Sequence, residues 1–211
     1  MNEIEAWLLS IAASPWIYLA LFLLVVADAF LVVLPSETLV VALGALAAAG
    51  GEPSAVLLVP VAAAGALVGD SLCYVIGTRI GTDRWAWQRR GRIAAALARA
   101  RRTVLTRPAV LIFTARYIPY ARIAVNLSAG AAGLPLRRFL PLAAVAGAAW
   151  AVYNVVIGVA FGAAMPGHPL LATALSVVVA IVLGIAVDLI AQRIAGLRAS
   201  RASPDGGGGR A

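Results

Sequence analysis

Five ionisable side chains stand in otherwise apolar stretches of this chain: Asp28, Glu37, Asp70, Arg116 and Arg122. A single charge at the centre of a bilayer costs about 2.5–3.5 kcal/mol on insertion scales. Five such charges must therefore pair with one another or face water. An arginine stays charged at any depth and holds a phosphate in a bidentate fork. A carboxylate in a low-dielectric setting favours its neutral form, so one of Asp28, Glu37 or Asp70 is expected to bind a proton near neutral pH. Together these residues suit recognition of an anionic headgroup, with a proton on a carboxylate freeing an arginine to take the phosphate. The plainer reading is structural: internal ion pairs that hold one segment against another. The two are compatible. Pro35, Tyr74, Pro119, Asn126 and Gly130 are the secondary candidates beside these charges.

The setting is a membrane. The chain has 211 residues, 63% of them hydrophobic and 12% charged, where a soluble domain carries about a quarter charged. Four runs have spanning length, Trp16 to Leu34, Ala55 to Gly77, Leu140 to Phe161 and Leu170 to Ile190, each about 20 residues, enough for roughly 30 Å of hydrocarbon. No signal peptide is expected, because only Glu3 and Glu5 precede the first apolar run and a basic leader is missing. Cys73 is the single cysteine and allows no internal disulfide. The net charge of +8 comes wholly from arginine. On a membrane protein such clusters mark the cytoplasmic side and meet anionic lipid. No nucleic-acid motif accompanies them.

Positive charge orders the elements. Nine arginines fill residues 79–107, Arg137 and Arg138 follow residue 135, and Arg193, Arg198, Arg201 and Arg210 follow the last run. If all three clusters are cytoplasmic, the apolar segment 108–135 begins and ends on one side, so it enters and returns. Arg116, Pro119, Arg122 and Asn126 interrupt it. Residues 35–50 are short for a span and are expected to form a second re-entrant hairpin, opposed to the first. Paired broken segments point to a midplane binding site in transporter-like folds. The fold class expected is all-α, with about four transmembrane helices, two opposed hairpins at about 35–50 and 108–135, and a basic amphipathic helix over 82–107 resting on anionic lipid. Residues 1–200 form the membrane domain, and 201–211 a disordered tail. Two small-residue ridges, Gly65-Gly69-Cys73-Gly77-Gly81 and Gly147-Ala151-Asn154-Gly158-Gly162, suit close helix packing, within the chain or in a homo-oligomer, and Asn154 is expected to bond across helices.

Three motifs resemble the DedA family, also called the SNARE-associated or VTT-domain family. The first sets Asp28 nine residues before the acid of Pro35-Ser36-Glu37, with Gly44 beyond. The second is "GDSLCYVIGTRIG" at 69–81. The third is "FTARYIPYARIAVNLSAGAAGLPLRRF" followed by Gly147 and Trp150. The resemblance spans about residues 25–162. It implies opposed hairpins, cytoplasmic termini in the cell membrane, and lipid translocation linked to the proton motive force. The lipids it implies are undecaprenyl phosphate or phosphatidylethanolamine. It also implies functional roles for Asp28, Glu37, Arg116 and Arg122. The chain departs from the family pattern at Asp28, where Glu is common, and at "GVAFG", which lacks a tyrosine.

The reading is a phosphate-lipid flippase. The alternatives are a proton- or cation-coupled transporter of small solutes and a membrane-homeostasis protein without transport. An enzyme is not expected: His168 stands alone, no acid, His or Cys cluster has metal spacing, and no nucleophile–base pair is visible. No cofactor is implied.

Overall fold

The computed structural model describes residues 10–31, 36–81, 91–116 and 118–165, and isolated helical positions at 173, 175, 178, 179 and 182. The described residues form helices and turns without strands. In chain order the helices are α1 (Trp16–Asp28), α2 (Ser36–Gly50), α3 (Ala55–Ile80), α4 (Gly91–Thr106), α5 (Pro108–Ala115), α6 (Pro119–Ala131) and α7 (Leu136–Ala164).

Two of these carry the architecture. The 26 residues of α3 and 29 of α7 are long and apolar enough to cross a membrane, at about 39 and 43 Å by the helical rise. Only 39% and 44% of their most apolar windows are buried. More than half of each window therefore faces outward, which suits a lipid-facing helix better than the core helix of a soluble protein. Exposed Trp16, Val56 and Tyr120 extend that apolar exterior.

The other apolar helices are short. α1 has 13 residues, α2 15, α5 8 and α6 13, so none exceeds about 23 Å. The first run, expected to span from Trp16 to Leu34, ends its helix at Asp28, and its backbone turns through Ala29 to Leu31. Residues 36–50, expected to turn back on themselves, form one unbroken helix instead. Leucine and alanine are strong helix formers, and a lone Gly44 costs only about 1 kcal/mol against alanine. The short helices thus come in pairs, α1 with α2 and α5 with α6, and the first break falls between Asp28 and Ser36. The break expected in 108–135 lies at Arg116–Ile118. Ile118 is extended (φ −123°, ψ 112°) ahead of Pro119 at the first helical position, as a pre-proline residue prefers.

α6 ends on Gly133 at φ +74°. Leu134 N–H reaches Ala129 O and Gly133 N–H reaches Gly130 O, both at 3.0 Å. This is the paired C-terminal closure that favours glycine, and it sends the chain straight into α7. Of the amphipathic helix expected over 82–107, the part Gly91–Thr106 is present as α4. Its Val104 is buried while Arg99, Arg101 and Arg102 are exposed. The expected span at 170–190 and the segment 82–90 lie outside the fully described residues.

Close approach of backbones holds the bundle. Gly65 and Gly69 on α3 face Phe22, Val25, Val26 and Ala29 of α1, while Gly77 faces Leu127 of α6. Gly158 and Gly162 on α7 face Val41 and Ala45 of α2. Both ridges are thus used within the chain. Asn154 departs from expectation: its amide donates to Trp150 O of its own helix at 2.9 Å. One apolar cluster gathers Leu21, Val25, Val40, Leu58 and Trp150, and a second gathers Tyr74, Ile112, Ala129, Leu134 and Phe139. Among the fully buried residues of α3, the first cluster ends at Ala66 and the second begins at Tyr74. Asp70 lies between them.

A Cβ at Gly158 would collide with the Val41 carbonyl. Gly158→Ala should therefore destabilise the fold by about 1–3 kcal/mol, the usual range for overpacking. Thermal unfolding in detergent reads this as a lower midpoint, and an unchanged midpoint would refute the close α2–α7 approach.

Candidate functional site

The polar layer between the two clusters is built from both helix breaks. Asp70 projects from the middle of α3, where two hydrogen-bonding groups meet it. Arg116 Nη1 donates to Oδ2 at 2.6 Å, and Asn126 Nδ2 donates to Oδ1 at 2.8 Å. All three residues are at most 5% exposed. Arg116 closes the end of α5, and Asn126 lies in the second turn of α6. Asp70 thereby ties both arms of this helix pair to α3.

The second pair joins the two breaks. Arg122 Nη2 donates to Asp28 Oδ2 at 2.9 Å and to Asp28 O at 2.8 Å. Ser36 Oγ donates to the same Oδ2 at 2.8 Å. Asp28 ends α1, Ser36 begins α2 and Arg122 lies in the first turn of α6. Three helix ends therefore converge on one carboxylate. Arg122 and Asn126 share a face of α6, being four residues apart, so one helix serves both acids. Both side chains of the Arg122–Asp28 pair are about a tenth exposed, more than those of the Arg116–Asp70 pair.

Glu37 stands apart from the two ion pairs. Among the described residues neither arginine pairs with it. Each arginine is taken by a nearer aspartate, and Glu37 instead accepts from Trp150 Nε1 at 3.3 Å. Trp150, on α7, presents its ring to Arg116, whose Cζ lies 5.3 Å from the centroid. This is cation–π range. The indole therefore stands between the acid it bonds and the arginine it covers. The two ion pairs cancel in charge and leave the −1 of the five-residue set on Glu37, which is exposed.

Arg116 carries the most informative feature. Its Nε and Nη2 are buried without a hydrogen-bond partner. These two nitrogens share one edge of the planar guanidinium, and that edge is a ready bidentate fork. Leaving a buried donor unmade costs about 1–3 kcal/mol, and more for a charged group, so an oxyanion at this edge would recover a substantial penalty.

The secondary candidates divide. Asn126 belongs to the layer. Pro119 starts α6 and enforces the break, and Pro35 lies outside the described residues. Tyr74 is not brought to the charges: its hydroxyl donates to Leu134 O at 2.6 Å and its ring stacks on Phe139 at 4.5 Å. Gly130 packs directly against the Tyr74 backbone. Both secure α6 to α3. Ser36 and Trp150 were not among the candidates and do belong to the site. An indole N–H or a hydroxyl in an apolar helix needs a partner, and that was the available signal.

A family model for the VTT domain matches residues 34–160, more than half of the chain. The chain belongs to the VTT-domain family. This is the domain of the DedA family, whose members are membrane-associated. The VTT match contains Glu37, Asp70, Arg116, Arg122, Asn126 and Trp150, while Asp28 lies just ahead of it. No curated protein and no solved structure shows a match to the chain.

Removing one partner of a buried pair strands the other charge, at about 3–5 kcal/mol. Asp70→Ala should lower the unfolding midpoint strongly, and Asp70→Ala with Arg116→Met should recover most of that loss. Equal midpoints for the single and double variants would exclude the pair as a buried unit. Trp150→Phe keeps an aromatic face over Arg116 but deletes the Glu37 bond, so it should cost about 0.5–1.5 kcal/mol, as one net hydrogen bond does.

Proposed function

We propose that this VTT-domain protein moves a phosphate-bearing lipid, undecaprenyl phosphate or phosphatidylethanolamine, between the leaflets of the cell membrane. The observation that carries the reading is the unpartnered Nε/Nη2 edge of Arg116, a cationic fork buried in an apolar bundle. A phosphate supplies two oxygens in the geometry that fork accepts. Asp70 and Asn126 hold the guanidinium from its other side, so the fork is fixed before the headgroup arrives.

The Arg122–Asp28 pair is the element whose opening would let a headgroup pass. It joins the ends of both short-helix pairs and is the less buried of the two ion pairs. A proton on Asp28 removes the charge that holds Arg122 and favours that opening, and a proton on Glu37 would weaken its bond to Trp150. Either provides a place where a proton gradient would act. In this reading the short-helix pairs are re-entrant from opposite faces. The arginine-rich segments lie on the cytoplasmic side against anionic lipid, with both termini there. Small polar solutes would share the charges but not need the apolar flanks.

Reconstitution in vesicles with labelled undecaprenyl phosphate, phosphatidylethanolamine and a neutral lipid tests this, with and without a pH gradient. Protein should speed the phosphate-bearing lipids at least about tenfold, the factor that 1.4 kcal/mol of differential binding provides, and leave the neutral lipid unchanged. Arg116→Ala should remove the difference. Equal rates with and without protein would end the proposal, and indifference to the gradient would end proton coupling alone.

A further inference from the structure

We infer that Gly147 is a specificity-determining residue, whose missing side chain keeps a methyl group away from the Nη2 side of Arg116, the side on which a phosphoryl oxygen would bind. The inference rests on the phosphate reading above and assigns a role that the reading does not require.

Three observations carry it. First, Gly147 is unlike the bundle's packing glycines. A Cβ at Gly77, Gly158 or Gly162 would collide with backbone of the facing helix, and at Gly44 it would lie 2.9 Å from Val155 O. At Gly147 the nearest atoms are Ala63 O and Ala66 Cβ, both at 3.5 Å, which is ordinary contact. Helix packing therefore does not demand glycine here, and alanine is the better helix former. Second, the next atom from that Cβ is Arg116 Nη2, at 3.8 Å. Nη2 is one of the two buried nitrogens without a partner. Third, the bundle is closed around the rest of the guanidinium. Asp70 takes Nη1, and the Trp150 ring, one helical turn from Gly147 on α7, covers its face.

A charge-assisted N–H···O bond needs its oxygen at about 2.7–2.9 Å from the nitrogen. A methyl group 3.8 Å from Nη2 competes for that shell. The ligand class is a phosphoryl oxyanion, and the same chemistry is offered by a lipid phosphate and by free phosphate.

The test uses the full chain in detergent and in phosphatidylcholine vesicles. Wild type, Gly147→Ala, Gly147→Ser and the packing reference Gly158→Ala are compared by unfolding midpoint. Binding is measured with inorganic phosphate, a water-soluble alkyl phosphate and undecaprenyl phosphate. Gly147→Ala should keep or raise the midpoint and weaken phosphate binding about tenfold or more. Gly147→Ser, whose hydroxyl can accept from Nη2, should raise the midpoint and weaken binding further. Loss for all three probes identifies the bare oxyanion as the recognised group. Loss for undecaprenyl phosphate alone identifies the headgroup in its lipid, and either pattern supports the role. If Gly147→Ala binds like wild type, the inference fails while the phosphate reading stands. If Gly147→Ala unfolds as early as Gly158→Ala, Gly147 is a packing glycine and the inference also fails. If wild type binds none of the probes, the phosphate reading itself fails and takes the inference with it.

Discussion

The buried Asp70–Arg116 pair is the interaction around which the bundle is arranged. Taking two charges out of water carries a large desolvation penalty, repaid only with good geometry and further hydrogen bonds. The structure meets that condition on one side. Asp70 has both oxygens occupied, by Arg116 and by Asn126. It does not meet it on the other, where two guanidinium nitrogens stay unpaired. Those two donors are the ones that the proposed phosphate site would use.

The remaining architecture follows from bringing that pair into an apolar interior. Arg116 must reach the middle of α3 from a helix end, so α5 stops after 8 residues and α6 restarts at Pro119. α6 must then lie close to α3 for Asn126 to reach Asp70. Gly77 and Gly130 allow this, since each backbone abuts the other helix, and Tyr74 secures the far end through Leu134. On the opposite flank, Gly158 and Gly162 draw α2 against α7, which sets Glu37 beside Trp150. The less buried Arg122–Asp28 pair then bridges the two halves. A fully buried pair and a more accessible one are thus both served by α6.

Much of this was legible in the residues. The acids and arginines in the apolar stretches had to pair or face water: both arginines pair with an aspartate, and Glu37 is exposed. Ile118-Pro119 announced a helix break because a pre-proline residue avoids the α region. The four-residue spacing of glycines in α3 announced close packing. The errors had physical causes too. Apolar residues continue past Asp28, so composition could not show that α1 ends there. A 16-residue apolar stretch such as 35–50 has the same hydropathy whether it is a hairpin or one short helix. Only its fit along α7 distinguishes them. Asn154 bonds within its own helix because an i−4 carbonyl is within reach, an outcome that spacing alone does not select.

By itself the sequence determined the inventory: an all-α, apolar chain with five charges to be neutralised, one enforced break, and glycines where helices touch. These follow from local chemistry, since the cost of a bare charge, the restriction before proline and the size of a side chain do not depend on distant residues. Tertiary structure alone decided the partners. That Arg116 takes Asp70, Arg122 takes Asp28, and Glu37 is left to an indole depends on distances across 46, 94 and 113 residues of chain. Charges pair with whichever opposite group the packed helices bring nearest. The unmatched edge of Arg116, with Gly147 beside it, likewise exists only once α3, α5 and α7 have closed around it.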